Sequence, residues 1–136
     1  MQITGGCHCG AIRYQAEIED PQGVSVCHCT DCQTLTGSPF RTSIAATPGT
    51  FRIIAGVPRV YTKTAESGRR REQAFCGDCG SPIYATSPGA EPRTYNVRVG
   101  TIAERRQLRP FRQIWARSRL PWLDEIPACA EVEADA

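Results

Sequence analysis

Seven of the eight cysteines in this 136-residue chain fall in three short clusters, and no other feature narrows its possible folds as far. The clusters are Cys7-His8-Cys9, Cys27-His28-Cys29-Thr30-Asp31-Cys32 and Cys76-Gly77-Asp78-Cys79. Disulfide scaffolds run to about 8–10% cysteine in short secreted chains, a density this chain does not reach, and a chain this long can bury a core without staples. The start, MQITGGCHCG, lacks a basic-then-apolar leader. The thiols are therefore expected in a reducing cytoplasm, where clustered cysteines bind metal more often than they pair.

The spacing within each cluster supports metal. In Cys76–Cys79 two intervening residues make a tight turn that aims both sulfurs at one ion, and Gly80 lets the chain leave with φ > 0. In Cys7–Cys9 the pair is closer, and neighbouring Gly5, Gly6 and Gly10 supply the bend it needs. Zinc takes four protein ligands in a closed structural site and three plus an open position in a catalytic one, so seven cysteines divide as four and three. Two partitions fit. Cys27, Cys29 and Cys32 can cap one ion while the two remaining pairs close a tetrahedron on another. Alternatively, Cys29 and Cys32 with Cys76 and Cys79 make a zinc ribbon and leave Cys7, Cys9 and Cys27.

Other readings of the same residues are blander. A redox C-x-x-C requires a helix N-terminus after a strand, which Cys29–Cys32 meets weakly and Cys76–Cys79 poorly. His8 and His28 each lie between two cysteines that face the metal, so their rings are expected to point away. Cys129, in the acidic tail, reads as a free thiol.

Strand signals dominate the rest. Residues 11–18 (AIRYQAEI) and 94–99 (TYNVRV) alternate apolar and polar side chains, and 40–45, 50–54, 59–64 and 70–75 are further short runs bounded by Gly and Pro turns. Helix is confined to one turn at Thr30–Leu35, with Thr30 as N-cap, and one at Glu104–Leu108. The pattern predicts a mostly β fold of packed antiparallel sheets, one domain over 1–123 with an acidic tail over 124–136. No apolar run approaches the ~18–20 residues of a membrane span, and no feature specifies an oligomer.

Charge argues against nucleic acid. The formal +2 becomes −1 once seven thiolates and two dications are counted. Arg105, Arg106, Arg109, Arg112, Arg117 and Arg119 do occupy a segment without an acid. They read either as a solvated basic face or as forked anchors for carboxylates. Nucleic-acid contact would need more aromatic interleaving than Phe111, Trp115 and Trp122 provide.

Taken together, Gly6-Cys-His-Cys-Gly10, CHCTDCQTLTGSPF at 27–40, FCGDCGSPIY at 75–84, VRVGTI at 97–102 and LRPFRQIWARSRLPW at 108–122 resemble the glutathione-dependent formaldehyde-activating enzyme family. The resemblance runs from about Ile3 to Trp122. It implies an all-β fold of coiled sheets with two zinc ions per chain. Cys7, Cys9, Cys76 and Cys79 would hold a structural zinc; Cys27, Cys29 and Cys32 would hold the catalytic one. The implied reaction is that of a carbon–sulfur lyase, joining formaldehyde and glutathione as S-(hydroxymethyl)glutathione. The chain departs from many members at Gln113, where they carry His. A small-molecule thiol such as glutathione is the expected partner, with Arg109 and Arg112 as candidate anchors for its carboxylates. A non-catalytic zinc-stabilised module that binds protein or nucleic acid is the alternative.

Overall fold

Alternating short runs form ten strands, because side chains at i and i+2 share a face and each run carries one apolar set. In chain order these are β1 (Gln2–Gly6), β2 (Arg13–Glu17), β3 (Val24–Cys27), β4 (Arg41–Ala45), β5 (Arg52–Ala55), β6 (Arg59–Thr64), β7 (Arg70–Phe75), β8 (Pro82–Thr86), β9 (Asn96–Arg98) and β10 (Pro110–Ile114). Helix α1 (Thr30–Thr36) follows β3, and short 3₁₀ turns fill the C-terminal third. These assignments come from a computed structural model that describes residues 1–135. The tail's final Ala136 lies outside the described residues.

The strands make two sheets, a three-stranded one ordered β1-β2-β5 and a seven-stranded one ordered β10-β3-β4-β9-β8-β7-β6. The fold is mostly β, as the alternation predicts. Pairing is antiparallel except at one edge, where β10 lies parallel to β3. A parallel pair needs a long connection, and most of the chain runs between these two strands. β10 opens on Pro110 and its residues are exposed, as suits an edge.

The core lies between the sheets. Ile3 and Tyr14 from the small sheet face Ile44, Ile83 and Val97 from the large one, all at most 3% exposed. Phe51 bridges them. Its ring centroid is 5.5 Å from Tyr14, 5.1 Å from Tyr84 and 4.7 Å from Tyr95, and such pairs add about 0.5–1.5 kcal/mol beyond their buried area.

With one face of the large sheet in the core, the opposite set of side chains must look outward. The register aligns them: Cys27 opposite Arg41, Ser25 opposite Ser43, Ser43 opposite Arg98, Gln73 opposite Ala85, and Lys63 opposite Arg71. One correction concerns α1. Its N-cap is Cys29, with extended backbone and a sulfur that accepts the Cys32 amide at 3.3 Å, so Thr30 becomes the first helical residue. Cys29 keeps the extended backbone of an N-cap, and its sulfur takes up one of the amides that the first turn of a helix leaves unpaired. Past the last strand, Arg119 forks onto Asp124 at 2.6 and 3.2 Å, within a stretch that ends in a 3₁₀ segment over Pro121–Ala128.

Candidate metal centres and the cationic cleft

Two hairpin tips meet between the sheets. Cys7 and Cys9 sit where β1 turns into β2, and Cys76 and Cys79 where β7 turns into β8. The turns are built alike. The Gly10 amide donates to the Cys7 carbonyl at 3.2 Å and the Gly80 amide to the Cys76 carbonyl at 2.8 Å. Both glycines are left-handed, with φ of 84° and 80°, where a Cβ would be strained. The tips belong to different sheets, so the four sulfurs join residues 67 positions apart at Cys9 and Cys76.

The four ligand atoms lie within 4.8 Å of one another and could hold a metal ion. Cys7 and Cys9 sulfurs are 3.5 Å apart, and those of Cys9 and Cys76 are 3.7 Å apart. A tetrahedron with Zn–S near 2.3 Å has edges of about 3.8 Å, so the set fits zinc. The Ile12 amide donates to Cys7 Sγ at 3.2 Å, the kind of support that steadies a thiolate. The protons of this set are shared unevenly. Ser81, whose hydroxyl lies 3.2 Å from Cys79, brings that thiol down to about 5. At Cys9 the Ala11 amide pulls downward, but the thiols of Cys7, Cys76 and Cys79, with some desolvation, push it up to about 12. Crowded thiols cannot all ionise alone; a shared dication removes that conflict.

The second set is local. Cys27 ends β3, Cys29 caps α1 and Cys32 stands in its first turn, and their sulfurs also lie within 4.8 Å of one another. The Cys32 thiol lowers the pKa of Cys27, while that neighbour first, and then burial, raise the pKa of Cys32. The fold thus groups the sulfurs as four and three, and the ribbon grouping of Cys29 and Cys32 with Cys76 and Cys79 is not brought together. His8 and His28 join neither set. His28 is buried, with Nε2 at 2.7 Å from Gln113 Oε1 and its ring edge-on to Phe40. Exposed Cys129 donates to the Glu125 carbonyl.

Cys27, Cys29 and Cys32 line a cleft of about 440 Å³ on the outward face of the large sheet. Its cations are Arg41, Lys63, Arg69, Arg71, Arg98 and Arg112, and its lining contains no carboxylate. Trp115, held at φ 56°, forms part of the wall beside Ile114. Lys63 is neutralised by Asp31 at 2.9 Å. Burial, then the nearby charge of Arg41, bring Arg98 down to about 9.

Of the two sequence candidates, the fold brings Arg112 to the cleft and leaves Arg109 out. Arg112 lies over Phe111 and reaches Ser25 Oγ, whereas Arg109 spends its guanidinium on the Arg106 and Leu108 carbonyls. Arg117 and Arg119 pair with Glu66 and Asp124. Arg41, Arg69, Arg71, Gln73 and Arg98 were not among the candidates from the sequence. Their trace in the sequence is a period of two: Ser25-x-Cys27, Arg41-x-Ser43, Arg71-x-Gln73 and Asn96-x-Arg98 each put two polar side chains on one strand face.

The architecture recurs in a crystal structure of a Rhodobacter sphaeroides protein, with a TM-score of 0.58 and 20% identity over 79% of this chain and 97% of that one. In sequence, an uncharacterized lyase of Schizosaccharomyces pombe is 33% identical over 97 residues. A Halomonas elongata protein with the provisional name glutathione-dependent formaldehyde-activating enzyme is 26% identical over 92. The matches span 71% and 65% of this chain but only 66% and 58% of those relatives, under two thirds of each. Residues 2–118, which contain both hairpin tips, the three-cysteine turn and every strand of the cleft, match one family throughout: the chain belongs to the glutathione-dependent formaldehyde-activating enzyme family.

Proposed function

We propose that this protein is a zinc-dependent, carbon–sulfur lyase-like enzyme acting on a thiol–aldehyde adduct, of which S-(hydroxymethyl)glutathione is the example. The observation that carries the reading is the placement of three thiols, with no fourth sulfur or imidazole among the described residues, on the wall of a carboxylate-free cationic cleft. In this reading Cys7, Cys9, Cys76 and Cys79 hold a structural zinc and Cys27, Cys29 and Cys32 the catalytic one. A zinc ion with three thiolate ligands supplies an open position for one more sulfur and lowers the proton affinity of a thiol placed there.

The chain's residues do the rest. Arg112 and Arg69, not paired with any cleft carboxylate, receive the anionic ends of a peptide thiol. Arg112 is held by Ser25 and stacked on Phe111, so its fork is presented at limited entropic cost. Trp115 narrows the wall beside the cysteines, and its turn is fixed by Gln33 Nε2, which donates to both the His28 and Ser118 carbonyls. The reaction involves no oxidation. A carbon–sulfur bond forms as the carbonyl π bond breaks, and the thiol proton ends on the carbonyl oxygen. Holding thiol and aldehyde together removes most of the entropic cost of a bimolecular addition.

The test is a two-dimensional exchange NMR measurement of formaldehyde and glutathione with zinc-loaded protein. Catalysis appears as faster exchange between free glutathione and its hydroxymethyl adduct than in buffer. Unchanged exchange, together with no heat of glutathione binding at millimolar concentration, would remove the enzyme reading and favour a zinc-stabilised binding module.

A further inference from the structure

We propose that Arg41, Arg98 and Gln73 form an oxyanion subsite in the floor of the cleft, which receives a substrate carboxylate beside the three-cysteine cluster. Two adjacent strands of the large sheet place the arginines: Arg41 stands opposite Cys27, and Arg98 opposite Ser43. They are 7% and 9% exposed. A guanidinium offers five N–H donors. Arg98 uses two, on Ser43 Oγ at 2.7 Å and Gln73 Oε1 at 2.5 Å; Arg41 reaches Gln73 Oε1 at 3.5 Å and lies against the Cys32 thiol. Each Nε is buried without a partner.

One amide oxygen therefore holds two like-charged forks side by side, with no carboxylate in the lining of the cleft. A zinc ion on three thiolates would carry a net charge of −1, which leaves this pair in positive excess. Buried charge without compensation is strongly unfavourable, and residues held in such a state are a mark of a ligand site. Adjacent guanidinium forks suit the two oxygens of a carboxylate. Formaldehyde, being neutral, has no use for them. The carboxylate belongs either to the peptide thiol or to the carbonyl partner, an aldehyde bearing an acid group. Only this assignment to a substrate rests on the reading of the cleft as an active site.

The probes are formate, glyoxylate and S-methylglutathione, titrated by calorimetry into zinc-loaded wild-type protein and the Arg41→Gln and Arg98→Gln variants. Formate is expected to bind the wild type and to lose at least tenfold in affinity in each variant. A parallel loss for S-methylglutathione places the thiol's carboxylate here; a loss for glyoxylate with S-methylglutathione unaffected places the carbonyl partner's. Affinities equal in wild type and variants, or no formate binding at all, overturn the subsite. Should a variant fail to fold, wild-type NMR decides. Formate should shift the buried, slowly exchanging arginine Nε–H resonances, and unshifted resonances overturn the proposal. Adduct formation with variant-insensitive anions would keep the lyase reading and remove the subsite. Variant-sensitive formate binding without adduct formation would do the reverse.

Discussion

The two sulfur clusters offer the same ligand atom and differ in what they connect. One lies where hairpin tips from two sheets meet, with Cys7 and Cys76 buried, and Cys9 and Cys76 separated by 67 positions. The other takes three sulfurs from six consecutive residues and opens on a cleft. A metal in the first would close a long loop and clamp one sheet to the other. In the second it would tie a strand end to the helix that follows, a connection the chain already makes. The contrast teaches that the same thiol groups would do different mechanical work according to how far apart in the chain they lie.

The comparison breaks most visibly at Cys79. Structural zinc contributes about 10–16 kcal/mol in small zinc domains, as much as the ~5–15 kcal/mol by which a whole domain is stable. Cys79→Ser is therefore expected to abolish cooperative thermal unfolding by circular dichroism. A native-like melt from this variant would mean that the sheets hold without the clamp.

The next effect is at Cys32. Cys32→Ser should reduce bound zinc from two ions to one by metal analysis and eliminate adduct formation, with the melt nearly unchanged. A collapse of stability as deep as that of Cys79→Ser would erase the distinction between the two clusters.

Within the cleft, Arg112→Glu should weaken glutathione binding by about 1–3 kcal/mol, the range for a charge-assisted hydrogen bond, without altering zinc content. Arg109→Glu, outside the cleft, should leave the affinity as it is. Calorimetry at rising salt sharpens the pair, because an exposed anchor such as Arg112 is screened. Equal effects from both arginines would return the segment to a general basic face.

The smallest expected change is at Asp31, about half exposed in its pair with Lys63. Asp31→Asn should alter stability by at most ~1 kcal/mol, yet free a cation for the cleft and tighten glutathione binding modestly. Weaker binding would show that the ion pair positions Lys63 instead of masking it.

Much of the fold was legible because its signals are local. Residues 59–64 and 70–75 form strands with those bounds, and the turn at Glu104–Leu108 is a 3₁₀ turn over Arg105–Gln107. The strands not anticipated carry weak local signals. β1 ends in two glycines, β3 has four residues, β8 begins with proline just after the second knuckle, and β10 begins with proline and exposes every side chain. Their strand character comes from neighbours. His28 and Gln113 are the clearest case: 85 positions apart, they meet only because β10 lies parallel to β3.

By itself, the sequence determined the local grouping of the thiols: a two-residue knuckle at Cys76–Cys79, left-handed glycines behind Cys9 and Cys79, and three thiols close together at Cys27, Cys29 and Cys32. Turn geometry spans a few residues and is written in their identities. Only the tertiary structure decided which pairs of cysteines share a site and which arginines serve the cleft. Arg109 and Arg112 look alike in the chain, while Arg41 and Arg98, far apart in it, stand on adjacent strands. Side chains two apart share a face whatever their neighbours are, but which face is buried and which strands adjoin depend on how the two sheets pack.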